Sequence, residues 1–315
     1  MDMYQKRKMR QENKNNKEEN ITKTNINWYP GHMAKTRKQI MEDVKFIDVV
    51  IELLDARIPI SSQNPEIAKI IGNKKRIVVL NKCDLANDEQ NKKWVRYFEQ
   101  KGIPAVLADS NSGYGIKKVL IEIEKIMEAE QVINAKKGRV GRRIRAIVLG
   151  IPNVGKSSFI NRISKRATAQ VGNKPGVTRT KQWIRLNEKI ELLDTPGVLW
   201  PKFESEEVAL NLSYTGTIKE DVLERTEIAF YLLKFLIKDH LKELCTRYKI
   251  EEERIAEIMK QEQSEAMNVM DVMNLIAKKR GAILSGGRIN EEKIAKILLD
   301  EFKNGEVGKI TIETI

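Results

Sequence analysis

Cysteine is nearly absent: the 315 residues hold only Cys83 and Cys245. Two cysteines build no disulfide framework, and neither lies in a cluster with metal-ligand spacing. That fits a reducing, cytoplasmic setting. Histidine is as scarce, with His32 and His240 alone. No stretch approaches the run of about 18 apolar residues that crosses a bilayer, so no membrane contact is expected. The opening MDMYQKRKMRQENKNNKEEN lacks an apolar centre, which excludes a secretory signal, and it is not rich in Arg and Ser as transit peptides are. Residues 1–25 read as a flexible basic tail of low complexity.

Disorder of the whole chain is excluded too, because 41% of the residues are hydrophobic. What is present in excess is positive charge, a formal +13. Such a balance favours a polyanionic partner, most often nucleic acid, over a merely Lys-rich surface. The excess is uneven. Residues 216–315 carry 17 basic and 19 acidic side chains, a net of −2, which leaves +15 on the first 215.

From about residue 26 to 216, strand and helix signals alternate. VVIELLDA, RIVVLNK, IPAVLAD, RAIVLG and IELLDTPG are short apolar runs ending in polar loops. EQNKKWVRYFEQKG, IKKVLIEIEKIMEAEQVINA and KSSFINRISK carry helical periodicity between them. Alternation of this kind predicts an α/β domain with a doubly wound, mostly parallel sheet. KKGRVGRRIR, six basic residues and no acid from Lys136 to Arg145, reads as a connector within it. From 217 to 315 the pattern is helical only, and a small all-α domain follows.

Five loops carry chemistry. Gly150-Ile151-Pro152-Asn153-Val154-Gly155-Lys156-Ser157 matches G-x-x-x-x-G-K-[ST] between a strand and a helix. Its backbone N–H groups, with those of Val154, Gly155 and Ser158 at the helix start, would cradle phosphates. Lys156 would reach the β/γ oxygens and Ser157 would ligate Mg²⁺. Asp194-Thr195-Pro196-Gly197 ends a strand; Asp194 would hold Mg²⁺ through water and the Gly197 N–H would reach the γ-phosphate. KPGVTRT offers Thr178 as a second Mg²⁺ hydroxyl. Asn81-Lys82-Cys83-Asp84 closes its own strand. A carboxylate at Asp84 accepts both the N1–H and the 2-amino hydrogens of guanine, a donor pair that adenine lacks, so GTP is expected over ATP. Lys82 would lie over the base. ADSNSGYG ends the next strand, with Asp109 and Ser110 as candidates for the guanine O6 contact, although the usual Ser-Ala dipeptide is missing.

With NWYPGHMAKTRKQI, ELLDARIPISSQNP, LNKCD, GIPNVGKS, PGVT, ELLDTPGVLWPKF and KRGAILSGGRIN, the chain resembles the circularly permuted GTPases, and most closely the ribosome biogenesis GTPase A family. The resemblance implies a GTPase acting late in assembly of the large ribosomal subunit or its precursor. It also implies a helical C-terminal domain that touches rRNA, and hydrolysis stimulated by the particle. It makes Asn153 the residue that places K⁺ near the phosphates, and His32, on a tight turn after Pro30-Gly31, a contributor to hydrolysis. A loop histidine that packs or binds rRNA is the plainer reading of His32. Val198 and Leu199 follow Gly197 where ordinary GTPases carry a water-orienting glutamine. That absence keeps open a GTP-sensing RNA-binding module with negligible hydrolysis of its own. A P-loop kinase or ATPase of metabolism is the third reading, and Asn81–Asp84 argues against it. A monomer is expected.

Overall fold

The computed structural model describes residues 31–138, 141–171, 183–193, 205–218 and 225–315, with the backbone alone for 31–37 and 166–171. The first half runs α1 (Gly31–Val44), β1 (Val49–Asp55), α2 (Pro65–Ile71), β2 (Lys75–Asn81), α3 (Asp88–Gln100), β3 (Ala105–Leu107) and α4 (Ile116–Lys136). Then come β4 (Ile144–Leu149), α5 (Lys156–Val171), β5 (Trp183–Arg185), β6 (Ile190–Leu193) and α6 (Glu206–Tyr214). Helices α7 (Arg225–Asp239), α8 (Leu241–Tyr248), α9 (Glu252–Met259), α10 (Glu265–Lys279) and α11 (Glu291–Lys303) complete it.

The six strands lie in the order β3-β2-β1-β4-β6-β5, all parallel except the pair β5 and β6. Strands β1 and β4 are neighbours, and the chain departs from them in opposite directions. This is the switch point at which loops from the strands' carboxyl ends gather around a ligand. The parallel strands are covered on both faces, which is why VVIELLD and IRAIVL read as near-continuous apolar runs. One face packs Val49, Ile51 and Leu53 against Ile116 and Ile123 of α4 and Phe159 and Ile163 of α5. On the other, Val50 and Ile147 meet Ile40, Val44, Ile67 and Ile71, while Leu54 and Leu80 meet Trp94 and Phe98 of α3. Each such side chain, fully buried, contributes about 1.5–3 kcal/mol.

The expected strands and long helices are present. Asn87 caps α3 by accepting from Glu89 N and Gln90 N, and Gly102, with φ 71°, follows its end. The three-residue edge strand β5 and the short helices α8 and α9 have too little sequence to declare themselves. His32 lies in the first turn of α1, not on a tight turn.

The helices from α7 on share one core, with stripes such as Ile228, Leu232 and Leu236 or Ile294, Leu298 and Phe302 at helical spacing. Helix α6 belongs to both parts: Ala209 and Leu212 join the sheet core, Tyr214 the helical one. After α11 the chain returns to the sheet, where Ile310 N donates to Leu85 O and Ile312 N to Arg57 O.

Candidate active site

Strand β4 delivers the loop Gly150–Gly155 directly into α5. Two of its residues have left-handed backbones, Asn153 at φ 57° and Gly155 at φ 99°. That curl aims successive N–H groups at one point, a nest for an anion. Two glycines are needed for space. A Cβ at Gly150 would stand 2.6 Å from Leu53 O, and one at Gly155 would collide with Asn81 Nδ2.

Lys156, in the first turn of α5, is 8% exposed. Its ammonium donates to Ile151 O at 2.6 Å. Burial pushes its pKa down to about 8. A buried cation whose one described hydrogen bond is to a carbonyl is poorly compensated, and a phosphate beside it would correct that. The loop therefore fits a nucleotide's phosphates. Ser157 and Ser158 are exposed on the same turn. A lone protein hydroxyl suits Mg²⁺, which keeps most of its shell for water and phosphate oxygens. Among the described residues no cluster of His, Cys, Asp and Glu offers a metal site of its own.

The base-side residues lie at the ends of β2 and β3. Asn81 is 1% exposed and ties three loops together. Its Nδ2 donates to Val154 O at 2.8 Å, and its Oδ1 accepts from Ser110 Oγ at 2.7 Å and Ser110 N at 3.2 Å. Lys82 holds a left-handed backbone at φ 58° and its Nζ meets Asp55 Oδ2 at 2.9 Å. Cys83 is buried, and burial together with Asp84 and Asp109 pushes its thiol up to about 11, so it stays neutral and packs. Asp84 is exposed beside a cleft of about 480 Å³ lined also by Leu107, Asp109, Ser112 and Tyr114. Partial burial and the Asp109 charge raise its pKa. A guanine's N1–H and 2-amino donors would reverse that shift.

Asp109 and Ser110 build the loop between β3 and α4. The Asp109 carboxylate accepts from Asn111 N at 2.8 Å and Ser112 N at 3.1 Å. Against the effect of burial, these bonds and the Ser112 hydroxyl hold its pKa low. Ser110 spends both its N–H and its hydroxyl on Asn81. From α5, Arg162 Nε donates to Ser110 O at 3.1 Å, so the phosphate-side helix also holds the base-side loop. Asn153 Nδ2 donates to Gly216 O at 2.7 Å, joining the phosphate loop to the chain after α6.

The structure thus brings Asn81–Asp84, Asp109, Ser110 and Asn153–Ser158 together at the carboxyl ends of β2, β3 and β4. Thr178, Asp194 and Gly197 lie outside the described residues, as does the His32 side chain. His240 stands before α8, its ring 5.1 Å from that of Phe235 in the helical part. Sequence reasoning passes over Asp55, Arg57 and Arg162. Asp55 and Arg57 leave a trace only as part of ELLDARIPISSQNP, one of the stretches that carry the family resemblance.

A family model described as "50S ribosome-binding GTPase" matches residues 145–275. "Ribosome biogenesis GTPase A" of Bacillus cereus is 43% identical over 289 residues, 92% of this chain and 94% of that protein. The chain belongs to the ribosome biogenesis GTPase A family. "Mitochondrial ribosome-associated GTPase 1" of Mus musculus is similar over 65% of each chain at 38% identity. In shape the chain matches the crystal structure of GNP-bound YlqF from T. maritima, with a TM-score of 0.60, 24% identity and coverage of 89% of this chain and 98% of that one. Members of the ribosome biogenesis GTPase A family are P-loop GTP hydrolases, and so is this chain. Its order is permuted: the base-side loop at 81–84 precedes the phosphate loop at 150–157. No helix among the described residues is long and apolar enough to cross a membrane.

Proposed function

We propose that this GTPase docks on the large ribosomal subunit or its precursor in the cytoplasm and acts late in its assembly, with GTP hydrolysis as the switch. The observation that supports it most is the bridge from Asn81 to Val154 and Ser110. It makes one site of phosphate and base loops, its ends at Asn81 and Val154 lying 73 residues apart in the chain. Sequence identity to ribosome biogenesis GTPases over most of the chain supports the partner.

In this reading Asp84 selects guanine, Lys82 lies over the base, and the loop from Asn153 to Ser158 holds the phosphates. Lys156 exchanges Ile151 O for β/γ oxygens and neutralises charge as the γ-phosphoryl departs. Ser157, Thr178 and Asp194 through water would hold Mg²⁺, with Asn153 beside K⁺; these cations supply positive charge where the leaving oxygens need it. The Gly197 N–H reaches the γ-phosphate, and His32 orients the attacking water in place of the absent glutamine. The segment after Gly197 runs into α6 and the helical part, so loss of the γ-phosphate re-aims that part on rRNA.

The test is co-sedimentation with purified subunits under a GTP analogue, GDP or no nucleotide, paired with turnover in K⁺ and in Na⁺. Nucleotide-dependent pelleting with the large subunit and K⁺-dependent stimulation are expected. Pelleting without any stimulated turnover would favour a GTP-sensing RNA-binding module instead, and no pelleting would remove the partner.

A further inference from the structure

Asp55 and Arg57 sit at the end of β1 with no part in the chemistry above. Both are about as buried as side chains become, at 1% and 2% exposure. The Arg57 fork grips the Asp55 carboxylate through Nε at 2.9 Å and one terminal nitrogen at 2.8 Å. The same carboxylate takes Lys82 Nζ at 2.9 Å. The other terminal nitrogen of Arg57 donates to the carbonyls of Phe302 and Lys303, at 3.4 and 3.1 Å. Those carbonyls close α11, where a helix gathers negative partial charge. Arg57 O then accepts from Ile312 N and Glu313 N, at 2.9 and 3.3 Å.

A second set of contacts reaches the same loop from outside. Ile310 N donates to Leu85 O at 3.1 Å, and Asn87 N to Thr311 Oγ1 at 3.0 Å. Leu85 directly follows Asp84, and Asn87 lies two residues further on. The Glu313 carboxylate anchors this returning segment. It accepts from Ile60 N at 2.5 Å, Ser61 N at 2.8 Å and the Ser61 hydroxyl.

Burying an acid between two bases costs several kcal/mol of desolvation, which apolar packing would avoid if fastening were the only task. What the ionic arrangement adds is a fixed place for Lys82. We propose that Asp55 and Arg57 are positioning residues of the guanine site, and that they brace Lys82 against the end of α11 and the segment 305–313. The proposal rests on Asn81–Asp84 being the base reader. Base binding and docking of this segment then favour each other, and the coupling is reciprocal.

Two experiments on the full chain test it. In the unaltered protein, amide hydrogen exchange at Ile310, Ile312 and Glu313 is followed with saturating Mg²⁺-GDP and with saturating Mg²⁺-pyrophosphate, which has phosphates but no base. Exchange about threefold or more slower with GDP is expected. Equal protection overturns the brace, and this arm needs no variant to fold. The second is a double-mutant cycle on GDP affinity. R57M is expected to weaken GDP about tenfold alone and less than about twofold in a K82M background. Equal penalties in both backgrounds mean that Arg57 supports the fold only, and the proposal falls. D84N, measured with GDP and XDP, separates the two layers. A switch of preference to XDP upholds the base reader, so that a flat cycle then indicts the brace alone. Without the switch the base reader fails and the brace with it.

Discussion

The two ends of the nucleotide site are built on different plans. The phosphate end is local: eight consecutive residues, two left-handed backbones and one helix start supply the cradle. The base end is assembled from afar. Asn81 leans on residues 110 and 154, Ser110 on Arg162, and Lys82 on Asp55, which is held through Arg57 to residues 302 and 303. A local device tolerates change elsewhere in the chain; a distributed one inherits every distant contact.

That contrast is open to attack, and the largest effect should come at the phosphate end. K156A should lower kcat about 10²–10³-fold, as loss of a principal charge-stabilising donor does. Its melting temperature should hold or rise, because the wild-type ammonium is buried with poor compensation. A steep drop in thermal stability in calorimetry would mean that Lys156 supports the fold. Next, N81A removes the one side chain shared by both ends. It leaves Val154 O and Ser110 without their partner, at a cost of about 1–3 kcal/mol in denaturant unfolding. GDP and pyrophosphate should both bind more weakly to it. Loss of GDP binding with pyrophosphate untouched would show the ends to be independent.

The pH dependence is smaller and has a definite sign. Lys156 has a pKa of about 8 without a phosphate beside it, and a phosphate raises it. Below pH 8 the ammonium is already charged, so affinity is flat. Above it, binding must take up a proton, and GDP affinity should fall by about one decade per pH unit. Titration calorimetry in two buffers of different ionisation enthalpy would reveal the uptake; its absence at pH 9 would refute the link. The smallest effect belongs to R162M. It removes one hydrogen bond to the base-side loop, worth about 1 kcal/mol. The GTP-over-ATP preference, to which a contact at O6 contributes, should drop a few-fold while pyrophosphate affinity stays put.

How much of this was legible in the sequence follows the same divide. The phosphate loop, Asn81–Asp84 and the strands beneath them are marked by short-range pattern, because a glycine that must admit a close neighbour leaves its signature in place. The helices from α7 on announce themselves by their stripes. Arg57 does not. It stands within ELLDARIPISSQNP, but nothing in that stretch shows that its side chain is buried, and the carbonyls it reaches lie some 245 residues away. Ser110 shows the limit in another way. The sequence offers it as a candidate for the guanine O6 contact; that its N–H and hydroxyl both donate to Asn81 shows only in the fold. Thr178, Asp194, Gly197 and the His32 side chain lie outside the described residues, so their roles rest on sequence.

The returning segment after α11 also has a bearing on time. A ribosome makes residues 49–107 well before residues 302–313, and domains fold as units while synthesis proceeds. Here the strands that carry Lys82 and Asp84 emerge early, yet Phe302, Ile310 and Glu313, which hold that corner, emerge among the last residues of this sequence. The nascent chain can therefore own a finished phosphate cradle before its guanine corner has been fastened. Competence to choose among nucleotides is among the last things that translation of these residues confers.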